Sequence, residues 1–286
     1  MTFLLTGADG QLGKEWVDFL ESKGVKFTSY NSGQLDITDL DQVKRRIAED
    51  EPDVVINCAA YTNVDKAESE QEKAFSVNES GVKNLVDVCN HAGIKFVHYS
   101  TDYVFPGKKE DQNRYPSGYD EDCPADPVNT YGKSKRAGEQ ILENQPGNWL
   151  LIRVAWLCGR YGNNFVKTMI RLGKDRNKLR VVDDQIGCPT FTFDVVQKTW
   201  QLIEMNKKGI YHVSSSGAIS WADFAEEIFR LRDIQTVIER ISSKEYPTEA
   251  RRPCFSLLST KKIKNEGLKP VDWKFGLQKL VKQLNS

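Results

Sequence analysis

Thr2-Phe-Leu-Leu-Thr-Gly-Ala-Asp-Gly-Gln-Leu-Gly13 is the stretch on which the fold turns. Thr2 to Thr6 reads as a short buried strand, and beyond the glycines Leu12, Trp16, Phe19 and Leu20 recur at helical spacing. Gly7, Gly10 and Gly13 lie between the two in the pattern G-x-x-G-x-x-G. Each glycine has a mechanical reason: a tight turn, a close approach of pyrophosphate to the backbone, and close packing of helix on sheet. The helix mouth, at Gln11 and Leu12, then offers free N–H groups and a partial positive charge to phosphates. Strand, glycine turn and helix in this order predict dinucleotide binding.

The same rhythm continues outward. Val25 to Ser29 is a second strand, and Thr38, with Asp41 three residues on as its capping partner, precedes a helix marked by Leu40, Val43 and Ile47. Val54 to Asn57 is a third strand, Ala74 to Ala92 a long helix, Ile94 to Ser100 a fourth strand and Trp149 to Val154 a fifth. The strands are unbroken apolar runs, which predicts a parallel sheet covered on both faces. Residues 106–129, rich in Pro, Gly, Asp and Asn, read as a long surface loop, with 108–119 an insertion placed like a lid. After Tyr161 the alternation breaks. Helices near Phe165 to Leu172 and Trp221 to Arg232 no longer alternate with strands, although Gly209 to Val213 supplies one more core strand. The expected fold is therefore α/β: a Rossmann-type doubly wound parallel sheet with a smaller discontinuous α/β lobe. Residues 1–160 and 188–214 are assigned to the sheet domain, and 161–187 and 215–286 to the lobe. Lys261 to Lys264 reads as a solvated helix face.

Acidic and basic residues balance at 40 each, so no global field favours nucleic acid or an anionic membrane, and any anionic ligand needs local cations. The six cysteines are scattered without a C-x-x-C pair or a Cys/His cluster, which argues against zinc and disulfides and suits a reducing compartment. Strand-like residues begin at Thr2, where a signal peptide would otherwise stand. No apolar run approaches the roughly 20 residues of a membrane span. A cytoplasmic location is expected, with neither nucleic acid nor membrane as partner.

Strand two ends in Ser29-Tyr30-Asn31-Ser32. An acidic residue here would bind the ribose 2′-hydroxyl of NAD and repel the extra phosphate of NADP. None is present, and no arginine either, so NADPH should be accepted and NADH remains open. Asp36 and Ile37 are placed to contact adenine, or Asp36 simply starts the next helix. Ala59 and Ala60, followed by Tyr61, are small enough after strand three for a nucleotide to lie on the backbone.

Tyr131 and Lys135 stand one helical turn apart on a shared face. A free phenol titrates near about 10. An ammonium beside it would stabilise the phenolate and make the pair useful in proton transfer. Thr101, at the carboxyl end of strand four, adds a hydroxyl where ligands bind in open α/β sheets. His91, His98 and His212 fall in apolar contexts and read as structural.

Gly7 to Gly13, Asn57-Cys-Ala-Ala-Tyr-Thr-Asn-Val-Asp65, Ser100-Thr-Asp-Tyr-Val-Phe105, Tyr131-Gly-Lys-Ser-Lys135 and Arg153-Val-Ala-Trp156 together resemble the extended short-chain dehydrogenases. Within them the chain is similar to the dTDP-4-dehydrorhamnose reductase family, from residue 3 to about 275. Gly162-Asn-Asn-Phe-Val-Lys167, Asp184-Gln-Ile-Gly-Cys-Pro-Thr190 and Ala250-Arg-Arg-Pro253 sharpen the likeness. The resemblance implies a Rossmann domain with a substrate lobe, and reduction of a 4-keto-6-deoxy dTDP-sugar by NADPH or NADH. It makes Tyr131 the proton donor, Thr101 a hydrogen-bonding partner of the substrate oxygen, and Lys135 a ligand of the nicotinamide ribose. Asp102 and Trp156 would orient the sugar, and Arg251 or Arg252 would hold its diphosphate, with Asn164 and Lys167 as weaker candidates. Sugar-nucleotide dehydratases carry Asp-Glu after the threonine. Here Tyr103 follows Asp102, so the base for elimination is missing and simple hydride transfer is the better reading. Some reductases of this kind dimerise through a metal held by carboxylates. Glu15 is present, but Phe191 and Phe193 stand where an acidic ligand is wanted and the chain ends in Asn285-Ser286, so no metal is expected and monomer or homodimer stays open. Two other readings compete: an NADP-binding regulatory subunit resembling the β subunit of methionine adenosyltransferase, and a reductase or epimerase of another nucleotide sugar.

Overall fold

The structure, a computed structural model, describes residues 1–284; Asn285 and Ser286, used above in the metal reading, lie outside the described residues. The first half runs β1 (Phe3–Thr6), α1 (Gln11–Lys23), β2 (Phe27–Tyr30), α2 (Leu40–Asp50), β3 (Val54–Asn57), α3 (Gln71–Phe75), α4 (Gly81–Ala92), β4 (Lys95–Thr101), α5 (Asp111–Arg114), α6 (Thr130–Glu143) and β5 (Trp149–Val154). The second half runs β6 (Leu157–Cys158), α7 (Phe165–Asp175), β7 (Lys178–Val182), β8 (Ile186–Gly187), β9 (Thr190–Phe191), α8 (Thr192–Glu204), β10 (Gly209–His212), β11 (Ile219–Ser220), α9 (Trp221–Arg232), β12 (Val237–Ile241), α10 (Lys261–Asn265) and α11 (Trp273–Gln283).

Six strands form one parallel sheet in the order β10-β5-β4-β3-β1-β2, the doubly wound arrangement expected from the sequence. The chain starts in β1, steps to β2 on one side, then crosses to β3 on the other. Ligands of open α/β sheets bind at that switch, outside the carboxyl ends of the strands. One face is covered through Leu12, Trp16, Leu20, Val196 and Trp200 of α1 and α8. The other face meets Val43, Ile47, Leu85, Val86 and Leu142 of α2, α4 and α6. A third apolar cluster gathers Val104, Phe105, Tyr119, Phe191, Phe224, Ile228, Leu277 and neighbours from distant parts of the chain. It encloses the short sheets β7–β12, β8–β11 and β6–β9.

Four local readings need correction. Asp39, rather than Thr38, caps α2, its side chain accepting from the backbone of Asp41 and Gln42. The long helix up to Ala92 is interrupted by a π turn at Ser76–Ser80 that aims Asn78 inward. There its amide bonds both backbone groups of Tyr61 and the Ser134 hydroxyl. Segment 106–129 is a largely exposed loop, as expected, but it is anchored rather than free to act as a lid. Tyr119, 1% exposed, stacks on Phe105, donates to Asp111 and accepts from the Gly107 amide. In the basic run at α10, Lys262 is drawn in to the Ile210 carbonyl and over the Tyr211 ring, while Ile263 is fully buried.

Candidate active site

A cleft of about 340 Å³ opens at the switch point, lined by Gly7, Asp9 and Gly10 after β1, by Asn31 and Ser32 after β2, and by Cys58 to Tyr61 after β3. Asp36 and Ile37 close its far wall. Gly7 has φ +66°, and a Cβ there would lie 2.5 Å from the Ala59 nitrogen; one at Gly13 would lie 2.2 Å from the Gly7 carbonyl oxygen. Bare backbone is therefore obligatory, and the first-turn N–H groups of α1 are left facing outward for phosphates. These residues fit a dinucleotide. The Gln11 amide is committed elsewhere, to the Leu157 carbonyl, the Gly159 amide and Asn164. Leu12 is 8% exposed in the core. Both can serve a cofactor only through backbone. Asp36 accepts from the amide and hydroxyl of Thr38, well ahead of α2, which begins at Leu40.

Tyr131 sits in the first turn of α6, whose N-cap Asn129 accepts from the Gly132 amide. It packs against the small cluster of Tyr61, Ala67 and Ala74, of which Tyr61 lines the cleft, and its ring meets Tyr103 edge-on at 5.5 Å. Tyr103 belongs to a second space, a groove of about 880 Å³ that also takes in Asp65, Phe165, Met169, Trp221 and Arg252. Tyr131 thus stands between cleft and groove. Thr101, at the end of β4, gives its hydroxyl hydrogen to Asp102 Oδ1 at 2.8 Å. Asp102 is 3% exposed and its Oδ2 is buried without a hydrogen bond. Burial pushes the Asp102 carboxyl up to about 7, against the opposing hydrogen bond from Thr101.

The expected acidification of Tyr131 by Lys135 is absent from this arrangement. Burial first, then the Asp102 charge, hold the Tyr131 phenol above its ordinary value, with the Thr101 hydroxyl pulling the other way. The shared helix face does bring both residues toward the sheet. The lysine, however, reaches down to β4, where Nζ donates to the Tyr99 carbonyl at 2.7 Å and lies 3.3 Å from His98 Nε2. Burial lowers Lys135 to about 8, opposed by the nearby Glu139 and Cys58.

Trp221, rather than Trp156, is a wall of the groove. The two indoles stack at 3.5 Å and 11°, and Trp156, at φ +47°, donates Nε1 to the Ser256 hydroxyl. Arg252 enters the groove, ion-paired to Asp65 at 2.6 Å and 3.4 Å from the Tyr103 hydroxyl, whereas Arg251 is exposed. Lys167 is held by the carbonyls of Arg160 and Gly162, and Asn164 caps α7. Glu15 accepts from Thr192. His91 is exposed, while His212 is enclosed beside Arg153. Two residues that the sequence reading passed over matter here: Trp221, and His98 against Lys135. Neither belongs to a local motif; only the fold brings them in.

A cleft at the switch of a parallel sheet, with a phenol packed between a residue of that cleft and one of a second groove, defines an oxidoreductase-like protein of the extended short-chain dehydrogenase type. The chain matches the RmlD substrate binding domain family over residues 1–286 and belongs to that family. It is 40% identical over 292 residues to a dTDP-4-dehydrorhamnose reductase of Aggregatibacter actinomycetemcomitans, covering 97% of each chain. It is 38% identical over 283 residues to the spore coat polysaccharide biosynthesis protein SpsK of Bacillus subtilis, covering 99% of this chain and 98% of that one. Among solved structures it superposes on a dTDP-4-dehydrorhamnose reductase of Bacillus anthracis in complex with NADP, with TM-score 0.94, 39% identity and 99% of both chains covered.

Proposed function

We propose that this protein reduces the 4-keto group of dTDP-4-dehydro-L-rhamnose to give dTDP-L-rhamnose, with NADPH as reductant and NADH as a possible substitute. The relatives named for that reaction, matched over nearly their full length, support the substrate class. The observation that carries the chemistry is the placement of Tyr131 between cleft and groove. A phenol held above its ordinary pKa keeps its proton at neutral pH, which suits a donor to a forming alkoxide. The dinucleotide, when bound in the cleft, supplies the hydride.

Every other contribution is made by the chain. Tyr131 holds the proton, and Thr101, whose hydroxyl hydrogen goes to Asp102 Oδ1 in the free protein, would turn it to the same substrate oxygen. The orphaned Asp102 Oδ2 is an acceptor waiting for a donor, and a sugar hydroxyl fits. Arg252, oriented by Asp65 and Tyr103, takes the diphosphate, leaving Arg251 to solvent. Trp221 gives the sugar a flat wall, with Trp156 stacked on it to fix its tilt. Tyr103 stands where a dehydratase has its glutamate, and burial pushes its phenol up to about 12, so no base for elimination is available at neutral pH.

With this goes the division of the chain into 1–160 with 188–214 around the cofactor and 161–187 with 215–286 around the substrate, although the third apolar cluster draws Val104, Phe105, Tyr119 and Phe191 from the first part. No helix among the described residues is long and apolar enough to cross a membrane. The reading adds a cytoplasmic monomer or homodimer. The test supplies dTDP-4-dehydro-L-rhamnose and follows loss of reduced nicotinamide absorbance with each cofactor. Turnover with NADPH is expected. A protein that binds NADPH, turns over no ketosugar and recovers a stoichiometric protein partner would instead be a regulatory subunit.

A further inference from the structure

We infer that His98 is a positioning residue for Lys135: locked by Asn57 as the Nε2–H tautomer, it holds the lysine amine on strand β4 and disfavours its ammonium form. The inference rests on the reading of Lys135 as part of the active site, but its chemistry is set by the contacts of Asn57, His98 and Lys135.

One donor in this cluster cannot be reassigned. The backbone N–H of Ala59 points at Asn57 Oδ1 at 3.1 Å, and the Thr6 hydroxyl points at the same atom at 2.6 Å. A backbone N–H can only donate, so this atom of the Asn57 amide is its oxygen. The amide nitrogen therefore faces His98 Nδ1 at 3.1 Å and gives it a hydrogen. Nδ1 is then an acceptor, and a neutral imidazole with Nδ1 as acceptor carries its proton on Nε2. Burial, and then the Lys135 charge, hold the His98 pKa well below its ordinary value, so the ring is neutral.

Nε2–H points at Lys135 Nζ, 3.3 Å away, while Nζ itself donates to the Tyr99 carbonyl at 2.7 Å. A neutral amine satisfies both contacts, giving one hydrogen to the carbonyl and taking one on its lone pair. An ammonium has no lone pair and meets the imidazole N–H donor against donor. Asn57 and His98 are each 1% exposed and Lys135 is 2% exposed, so water cannot relieve the mismatch. The other groups around the amine act in opposite senses: Glu139, a turn along α6, and Cys58, after β3, favour the charge, and burial opposes it. Glu139 is itself bound at both oxygens by Arg153 of β5, which restrains its effect on the lysine. The chain of contacts Ala59–Asn57–His98–Lys135 begins in the wall of the nucleotide cleft.

The test uses the full-length protein without cofactor. Heteronuclear NMR of the imidazole should show His98 as the Nε2–H tautomer, untitrated between about pH 6 and 9, and the Lys135 Cε resonance should titrate well below the ordinary lysine value of about 10.4. Asn57→Asp keeps the acceptor for Ala59 but turns the Nδ1 side into an acceptor. It should switch His98 to Nδ1–H and raise the Lys135 midpoint by about one unit or more. The basic limb of the ketosugar rate profile should move the same way. An Nδ1–H tautomer in the unsubstituted protein, or a Lys135 midpoint at the ordinary lysine value, overturns the inference even if Asn57→Asp does not fold. Because neither NMR measurement involves the sugar, a failed reductase assay leaves this result standing, and the reverse.

Discussion

The nucleotide cleft is made of backbone turned by glycines and backed by small residues, nearly all of it within the first 61 residues. The groove beyond Tyr131 is made of large side chains that come from Asp65, Tyr103, Phe165, Trp221 and Arg252. A space walled by main chain tolerates little added volume anywhere, because its atoms cannot step aside. A space walled by side chains can exchange one contact for another. Substitutions should therefore abolish function on the cleft side by sterics and degrade it on the groove side by degrees. Tyr131 packs against the Tyr61 cluster on one side and meets Tyr103 on the other, so the largest effect is expected there. Tyr131→Phe keeps the ring packed against Tyr103 but removes the proton. Turnover should fall by about a hundredfold or more, the scale of a lost general acid, with NADPH affinity unchanged by fluorescence titration. Near-normal turnover would assign the proton to another group.

Gly13→Ala tests the stiffness of the backbone wall. Its methyl group would overlap the Gly7 carbonyl at 2.2 Å, and neither the turn nor the helix can yield cheaply. NADPH binding should weaken about tenfold to a hundredfold, corresponding to the roughly 1–3 kcal/mol of an overpacked contact. The ketosugar KM, extrapolated to saturating cofactor, should hardly change. If the variant binds NADPH normally, the glycine loop is no cofactor site.

Arg252→Gln is the matching probe on the groove side. It removes the charge while keeping a polar chain beside Asp65, and that carboxylate remains open enough to be solvated. The ketosugar KM should rise about tenfold, the scale of one lost hydrogen bond to a charged group, with kcat nearly constant. Arg251→Gln, on an exposed side chain, should do much less. Equal effects from the two would show that the groove does not select between adjacent guanidinium groups.

The same contrast explains what could be read from the chain. The cleft was legible because its parts are consecutive: Gly7 to Gly13 after one strand and Ala59 to Tyr61 after another carry their geometry in local sequence. Tyr131 and Lys135 were legible as a pair because helical spacing places them on one face. Their electrostatic relation was not. It depends on Tyr99 and His98 of a separate strand, which capture the lysine before it can reach the phenol. Trp221 was invisible because nothing around Ser220-Trp-Ala-Asp223 differs from an ordinary helix start, and its function depends on stacking with Trp156 across the chain. The buried Tyr119 anchor was masked by composition, since Pro, Gly and Asp around two tyrosines, Tyr115 and Tyr119, resemble any exposed loop. Side chains that meet only in the folded state leave no periodic trace.

Asp102, buried next to Tyr103 in the chain, gives the finest test of the substrate side. Its carboxyl is buried with one oxygen unpartnered and is pushed up to about 7. In the unfolded chain it would ionise near about 4. Between those values the folded state holds a proton that the unfolded state has released, so stability falls as pH rises from about 4 to about 7 and is level above that. Asp102→Asn is neutral throughout and escapes this loss, while leaving a buried amide nitrogen short of an acceptor, which offsets part of the gain. In thermal melts the variant should fall below the parent protein near pH 4, by the roughly 1–3 kcal/mol of the unpaired amide, and gain up to about 4 kcal/mol on it by pH 8. A difference that does not change with pH would mean that the Asp102 carboxyl titrates normally, and the groove would lose the acceptor assigned to the sugar hydroxyl.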